Sequence, residues 1–418
     1  LARGVDLGQI DIMSNGFLSD FLRAQSNLRL TGNPFCVSAG CQALTIFQQS
    51  AGSPGRLGVA PTSTSTPAGT LQLTTFLGHL NNGTPADLAI AYINSTNPAN
   101  LNNQPSSAAP GNIPRVNFLR NNSTGVIDLF VNDAKYKYDS LQAEVRKRFA
   151  NGLFFKVNYT FSKNLTNAIG TSQALFEPYL DNARQELDLQ RADFDTTHVL
   201  NFSSIYQLPF GQGKRFLNYG GIADKILGGW EISGLGTWFS GAPITFVDTR
   251  GTFNRTGRST RQTPFSTLTN DEVRALGGVF EQNGNIYFLN PSVLLQTFNP
   301  ATGVYNSTAS SGYNINGTGT FPGQAFFNVQ PGQTGNLTRA LVDGPKFFNI
   351  NMALLKNIKF TESMRLQLRM EAFNLLNNVN FNISDAQQRS NINSTTFGQI
   401  TSTANAAREL QFALRFEF

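Results

Sequence analysis

Two histidines are the first candidates for chemistry, because histidine titrates near neutral pH and often acts as a general acid or base. His79 and His198 lie far apart in the sequence. Neither accompanies a nucleophile motif, and no glycine-rich phosphate loop follows a predicted strand. The sequence therefore predicts no enzymatic activity and no cofactor, with a dyad assembled by the fold as the alternative.

An acidic segment, FEPYLDNARQELDLQRADFD, could bind a hard cation such as calcium, which prefers clustered oxygen ligands. Its six carboxylates are Glu177, Asp181, Glu186, Asp188, Asp193 and Asp195. Their spacing fits no EF-hand, and Arg184 and Arg191 lie among them as partners for ion pairs. The sequence favours loop structure here and no metal site, with calcium or ligand binding as the alternative.

The two cysteines, Cys36 and Cys41, lie close together in NPFCVSAGC. A lone pair with no histidine nearby is a poor zinc site, because zinc takes four ligands. We expect a disulfide that closes a small loop, with two free thiols as the alternative. A disulfide would indicate an oxidising compartment such as the periplasm or the cell surface.

The composition of the 418 residues is unusual for a soluble protein. Only 14% are charged and 35 are phenylalanine, whereas roughly 25% are charged in soluble domains. No run approaches the roughly 20 apolar residues of a membrane helix. The net charge is +6, but no basic stripe exists, so the sequence predicts no nucleic-acid partner.

Seven segments alternate apolar and polar residues with the period of a β-strand. In YDSLQAEVRKRFANGLFFKVNYTFS, Asn151-Gly152 is a hairpin signal between two such runs. The others are THVLNFSSIYQLPFG, GWEISGLGTWFSG, KFFNINMALLKNIKF, MRLQLRMEAFNLL and the terminal RELQFALRFEF. Each has about the 9–11 residues that a tilted membrane-spanning strand needs.

The connections between these segments alternate between short and long. Outer-membrane barrels have short periplasmic turns and long external loops. We therefore expect an all-β fold, a transmembrane antiparallel β-barrel fragment. Residues 1–136 would form a large extracellular loop region after a truncated upstream strand. Residues 137–418 would hold the barrel strands, with extracellular loops 163–196, 241–346 and 377–406.

The chain resembles the C-terminal region of TonB-dependent outer-membrane receptors, especially the Oar-like group. The resemblance rests on NGFLSDFLRAQSNL, LTGNPFCVSAGCQ, the hairpin segment above, FEPYLDNARQELDLQRADFDTTHVLN, YQLPFGQGKRF, GGWEISGLGTWFSGAPIT, RLQLRMEAFNLLNNVNF and RELQFALRFEF. It implies a 22-stranded barrel, a plug domain inside it and energy delivered by the TonB complex. The plug and the TonB-contacting segment would lie before Leu1, so the chain alone is expected not to transport.

Charged residues of the strands are expected to face the barrel lumen. They are Glu144, Arg146, Arg148, Arg365, Arg369 and Glu371. One interpretation is structural, because charges of both signs can pair across facing strands and with the plug. The other is functional, because they could line the path that opens when the plug shifts.

The terminal strand is expected to be the signal that the barrel-assembly machinery recognises. Its backbone would add to an exposed strand edge, and its side-chain signal would be Leu410, Phe412, Leu414, Phe416 and Phe418. The same apolar face would contact outer-membrane lipid, with the C-terminus at the periplasmic rim.

The leading hypothesis for function is uptake of a scarce ligand by a TonB-dependent receptor in a Gram-negative outer membrane. The ligand (siderophore, oligosaccharide, peptide or cobalamin) cannot be read from the sequence, because function lies in sites rather than folds. Its capture is assigned to the long loops, particularly residues 252–335. The alternatives are a structural or adhesive surface protein and, third, a passive porin.

Overall fold

The structure is a computed structural model that describes residues 3–49, 57–60, 70–93, 116–119, 128–168, 179–218, 220–253, 262–294, 296–299, 304–307, 323–361 and 363–418. The strands in these ranges are β1 (Arg3–Asp6), β2 (Phe47–Gln48), β3 (Leu57–Ala60), β4 (Thr70–Gln72), β5 (Asp128–Val131), β6 (Tyr136–Ala150), β7 (Leu153–Thr166), β8 (Gln190–Arg191), β9 (His198–Gln207), β10 (Trp230–Phe239), β11 (Pro243–Ile244), β12 (Phe265–Ser266), β13 (Gly277–Gln282), β14 (Asn285–Leu289), β15 (Gln296–Asn299), β16 (Val304–Ser307), β17 (Phe326–Phe327), β18 (Val342–Asp343), β19 (Phe347–Lys359), β20 (Arg365–Phe373), β21 (Gln399–Ile400) and β22 (Glu409–Glu417). The α-helices are α1 (Phe17–Thr31), α2 (Leu73–Asn82), α3 (Pro85–Ile93), α4 (Ile222–Leu227), α5 (Asn270–Ala275) and α6 (Ile383–Gln388).

Seven long strands form one antiparallel sheet in the order β22-β20-β19-β10-β9-β7-β6, with the short β8 beside β7. They occupy the seven segments whose sequence alternates, and they are 9 to 15 residues long. Among the described residues, β6 and β22 each pair along one edge, so this sheet is open. The total of 22 strands stays a prediction.

Because successive long strands are antiparallel neighbours, their connections alternate between the two ends of the sheet. One end, here called the turn end, holds Asn151-Gly152, residues 208–218 and 220–229, and residues 360–361 and 363–364. The longer connections lie at the opposite end, here called the loop end. Asn151 and Gly152 both have positive φ, 53° and 76°, which fits the tight turn that the Asn-Gly pair predicts.

The strand register places most apolar residues of the seven strands on one face. One row of neighbouring residues crosses six strands and consists of Leu153, Tyr206, Ile232, Leu354, Met370 and Phe412. The row Glu144, Asn158, Asn201, Thr237 and Asn349 lies on the other face. We call these the apolar face and the polar face.

Phe202 packs over a glycine of the neighbouring strand on the apolar face. It is the register partner of Gly236, and a Cβ at Gly236 would lie 1.8 Å from the Phe202 ring. At Gly234 the nearest atom to an added Cβ is the Ser204 hydroxyl oxygen at 3.3 Å. Gly236 therefore provides the space that the aromatic ring occupies.

The long connections fold into two hydrophobic cores, which the sequence analysis did not predict. The first lies between Ile10 and Phe118, where α1, α2, α3 and the β2-β3-β4 sheet pack together. The second lies between Ile244 and Ile400 and joins the β10–β19 and β20–β22 connections.

The six α-helices of the described ranges make this part of the chain mostly β rather than all-β. In α1, Phe17, Phe21 and Ala24 are fully buried at helical spacing, a pattern that the analysis of strands overlooked.

The strand ends differ slightly from the expected loop boundaries. β7 continues to Thr166, beyond the expected loop start at 163, whereas β10 ends at Phe239 and β20 ends at Phe373.

The structure joins Cys36 and Cys41 in a disulfide, with their Cα atoms 5.9 Å apart. No helix in the described part of the chain is long and apolar enough to cross a membrane.

Substitution of the two β10 glycines tests the packing of Phe202. We expect Gly236→Ala to lower the free energy of unfolding by about 1–3 kcal/mol, because the new methyl group displaces the ring. Gly234→Ala is the matched control and should cost much less, because the Ser204 hydroxyl can rotate. Urea unfolding of the detergent-purified protein, followed by circular dichroism, measures both. Equal losses would contradict this packing.

Candidate functional site

The six charged residues expected to face a lumen lie in two strands that are far apart in the sheet. Glu144, Arg146 and Arg148 belong to β6, and the other three belong to β20. Lys156 Nζ lies 3.2 Å from Glu144 Oε2 on the neighbouring strand. Arg148 lies where the β6–β7 register shifts between Lys147 and Ala150.

In β20, the three charged residues pair locally on the polar face. Arg365 forms an ion pair with Glu417 of β22, and Arg369 forms one with Glu371. Arg415 Nη2 lies 3.0 Å from the Glu417 carboxylate. The Arg365–Glu417 pair joins β20 to β22, and the other two pairs each lie within one strand. These contacts do not reach the charges of β6, so the six residues form two clusters.

The terminal strand continues both faces of the sheet. Phe412 lies opposite Met370, Leu414 opposite Leu368 and Phe416 opposite Leu366. Phe418 lies one residue beyond β22, is 93% exposed and stacks on Phe416 with ring centroids 6.0 Å apart. Together with Leu410, these residues present an apolar surface along the open edge strand.

The two histidines lie in separate parts of the structure. His79 Nδ1 lies 2.9 Å from the Thr84 hydroxyl, and burial lowers the pKa of His79. His198 Nδ1 lies 2.8 Å from the Tyr159 hydroxyl on the apolar face, near Trp238. Neither of these two contacts includes a carboxylate that would orient the imidazole as a general base, and we assign no catalytic role to either residue.

The acidic segment is organised by arginines. Arg184 Nε lies 2.8 Å from the Asp181 carboxylate, and Arg191 Nε lies 2.9 Å from the Asp195 carboxylate. A third pair joins residues that are distant in sequence, because Arg339 Nη1 lies 2.6 Å from the Asp188 carboxylate.

Glu177 of the same segment lies outside the described residues. Within the described ranges, no group of three or more His, Cys, Asp or Glu side chains could hold a metal ion.

A buried ion pair joins several of the long connections. Arg250 binds Asp248 through two nitrogens, and its other contacts are the carbonyl oxygens of Asn82 at 2.7 Å and Val329 at 3.0 Å. Asp248 is fully buried and also accepts the backbone N–H of Val329 at 2.9 Å. The contact between Arg250 and the Asn82 carbonyl links this connection to α2 of the first core. Loss of Asp248 would leave the Arg250 charge without its partner.

Asp87, at the start of α3, forms a second contact between the cores. Its Oδ2 accepts the N–H of Gly251 at 3.0 Å, and the Ala86 N–H donates to the Gly251 carbonyl at 2.9 Å. Its other carboxylate oxygen is buried without a hydrogen-bond partner among the described residues. Burial raises the pKa of Asp87 to about 6, against the lowering effects of the Gly251 N–H and Arg250.

A cavity of about 320 Å³ lies between two of the long connections, β7–β9 and β10–β19, at the lower end of the roughly 300–1,000 Å³ typical of ligand pockets. It is lined by Leu180, Glu186, Leu187, Leu189, Gln190, Thr263, Thr334, Gly335, Asn336, Leu337, Thr338 and Arg339. Its walls are tied together, because Asp188 accepts the Leu180 N–H and the Arg339 guanidinium, and Thr263 Oγ1 donates to the Leu337 carbonyl.

The cavity walls also carry an unsatisfied polar atom. Gln190 is 7% exposed, and its Oε1 has no hydrogen-bond partner among the described residues. Sequence reasoning missed this cavity and the Arg339–Asp188 pair, because residues 180–190 and 334–339 are brought together only by the fold.

Comparison with known proteins identifies one family. The sequence model of the family described as outer membrane beta barrel domain matches residues 80–411. The match spans most of the chain and includes the first six of the seven long strands and part of the last. A search of curated proteins finds no significant match.

The contact of Asp87 and Ala86 with Gly251, here called the joint, connects the two cores. The raised pKa of Asp87 predicts that the stability of this joint depends on pH. An unfolded carboxyl loses its proton near pH 4, at about 3.9, whereas folded Asp87 retains it to about pH 6. The stability of the joint therefore falls as pH rises from 4 to 6 and stays lower above it. Ionisation of Asp87 costs at most about 3 kcal/mol.

Asp87→Asn should remove this pH dependence. At pH 8 we expect the variant's joint to be more stable than the wild type by about 2–3 kcal/mol, with no difference at pH 4. Hydrogen exchange of residues 84–93 and 248–253, corrected for intrinsic rates, measures the opening free energy. Asp271→Asn is the control, because Asp271 is exposed. A wild type with the same stability at both pH values would contradict the prediction.

Proposed function

The chain belongs to the family of outer membrane β-barrel domains, and from this premise we propose that it is the C-terminal part of a TonB-dependent receptor. Such a receptor takes up a scarce ligand with energy coupled from the inner membrane. The outer membrane is the location that the family indicates. The observation that supports the membrane-spanning part of the proposal is the continuous apolar face of seven long strands.

The apolar face supports contact with lipid. Val145, Val157 and Phe202 lie in one row across three strands, and many side chains of this face are exposed, including Leu141, Phe412 and Leu414. A surface of this size is rare on soluble proteins, where large apolar patches mark interaction sites. Strands that alternate apolar and polar residues in this way are typical of transmembrane barrels.

The polar face and the alternation of connections support an orientation. We propose that the turn end is periplasmic and the loop end extracellular, since outer-membrane barrels combine short periplasmic turns with longer external loops. The polar face then lines the lumen, where the charge clusters of β6 and β20 contact the plug or the ligand path. The terminal strand, ending in Phe418, is the proposed signal for the barrel-assembly machinery.

The folded structure of the long connections supports a role in ligand capture rather than a role only as links between strands. Two hydrophobic cores and buried ion pairs give the loop end fixed walls, and preorganised walls reduce the cost of binding. The cavity beside Gln190 is the candidate capture site. Its lining combines leucines with polar side chains, the usual character of small-molecule pockets. Within the expected capture segment 252–335, residues 254–261, 295, 300–303 and 308–322 lie outside the described residues.

TonB dependence rests on the sequence resemblance and is tested directly by binding. The full-length protein that contains this chain should bind the purified periplasmic domain of TonB in a pull-down assay. The control is an unrelated outer-membrane porin. Absence of binding would overturn energy-coupled uptake. Loss of cell–cell adhesion on deletion of the gene, without TonB binding, would favour the alternative of a structural or adhesive surface protein.

The assignment of the two faces is tested by a pair of adjacent substitutions. We expect Val157→Arg to reduce the amount of protein in the outer membrane strongly, because an arginine on the lipid face costs about 2–4 kcal/mol near the bilayer midplane. Asn158→Arg is the matched control on the polar face and should leave the amount close to wild type. Quantitative immunoblotting of outer-membrane fractions measures both. Equal effects would contradict the face assignment.

A further inference from the structure

The connection between β9 and β10 folds back against the apolar face at the turn end. The Ile226 carbonyl of α4 accepts the indole N–H of Trp230 at 3.1 Å and the ammonium of Lys356 at 3.1 Å. Trp230 and Lys356 are register partners on the apolar face. The described residues of this connection, 208–218 and 220–229, are here called the turn collar, and its α4 end lies beside the lipid-facing side of the sheet.

Lys356 explains why the collar must lie there. It is 3% exposed although its strand position faces the apolar side. A lysine on a lipid-facing surface is costly unless its charge is satisfied. Its ammonium donates to the carbonyls of Ile226 and Gly228 and lies 5.1 Å from the centre of the Trp230 ring. The end of α4 thus covers the charge, as expected for a cation at a helix C-terminus.

The outer surface of the collar is apolar. Ile222 is 77% exposed and Ile226 is 63% exposed, and Leu227, Phe216 and Leu217 are also exposed. These residues belong to no membrane-spanning strand, yet they adjoin the apolar face through Trp230. Their exposure in water would be unfavourable at about 25 cal/mol per Å², so their position at the edge of a bilayer gives them a suitable environment.

Basic side chains accompany these apolar residues. Lys214, Arg215 and Lys225 are exposed, and the guanidinium of Arg215 lies 5.4 Å from the centre of the Phe216 ring. The one acidic residue of the collar, Asp224, accepts the backbone N–H of Gln212. Lys225 lies 5.4 Å from the ring of Phe360 in the neighbouring turn. Exposed cations beside apolar and aromatic residues are typical of elements that bind an anionic membrane surface.

We propose that the turn collar binds anionic phospholipid headgroups of the leaflet at the turn end. Ile222 and Ile226 enter the boundary between headgroups and acyl chains, and Lys214, Arg215 and Lys225 contact the phosphates. Two observations select this ligand: the collar continues the apolar face, and its exposed charged side chains are positive. The inference rests on the proposed function only for the contact between the apolar face and lipid.

Photo-crosslinking tests the proposal in the full-length protein, reconstituted in nanodiscs with equimolar phosphatidylglycerol and phosphatidylethanolamine of identical acyl chains. A benzophenone amino acid replaces Ile222 in one sample. In the comparison sample it replaces Phe161, which is exposed on the apolar face near the loop end. Mass spectrometry counts the adducts of each lipid. We expect the ratio of phosphatidylglycerol to phosphatidylethanolamine to be at least about threefold higher at position 222.

The triple variant Lys214→Gln, Arg215→Gln, Lys225→Gln should bring the ratio at position 222 down to that at position 161. Lys137→Gln, Lys163→Gln, Lys346→Gln removes the same charge at the loop end and should leave the enrichment unchanged. Equal ratios at the two positions in the wild type would overturn lipid selection by the collar while leaving the lipid-facing sheet intact. Absence of lipid adducts at both positions would overturn the lipid-facing sheet and with it the proposed function.

Discussion

The antiparallel register of the seven long strands is the constraint on which the rest of the structure depends. A slip of one residue would turn every apolar side chain of a strand to the polar face. The rows that contain Val157 and Ile232 show that the register keeps apolar residues together across five or six strands. In a membrane this arrangement also satisfies the backbone, because every N–H and C=O in lipid needs a partner.

The loop end follows different physical rules. Its short strands and helices are held by two buried cores and by arginine–carboxylate pairs such as Arg250–Asp248. The Arg339–Asp188 pair joins segments that are distant in sequence, whereas Arg250 pairs with its sequence neighbour Asp248 and reaches the distant Asn82 and Val329 through their carbonyl oxygens. Removal of one partner of either pair would leave an uncompensated buried charge. The long connections are thus folded units with a cavity between them, whereas the sheet beneath them is a regular two-faced surface.

The turn end shows how the two sets of rules meet. Lys356 interrupts the apolar pattern of β19. In the sequence alone, it is a charged residue at a position that should face lipid. The α4 carbonyls and the Trp230 ring satisfy its charge, so the exception specifies where the β9–β10 connection must pack. Gly236 likewise specifies a packing contact, because the Phe202 ring of the next strand occupies the space that a side chain at position 236 would need.

The seven strands, their faces and the alternation of short and long connections can be predicted from the amino-acid sequence, because a period of two and an Asn-Gly turn are local signals. The sequence also indicates that arginines organise the acidic segment, although Asp188 pairs with the distant Arg339 rather than with a neighbour. The two cores, the cavity beside Gln190 and the collar over Lys356 become visible only in the folded chain. These features depend on contacts between residues far apart in the chain, where dispersed apolar residues such as Phe246 and Phe397 carry no periodic signal until the fold brings them together.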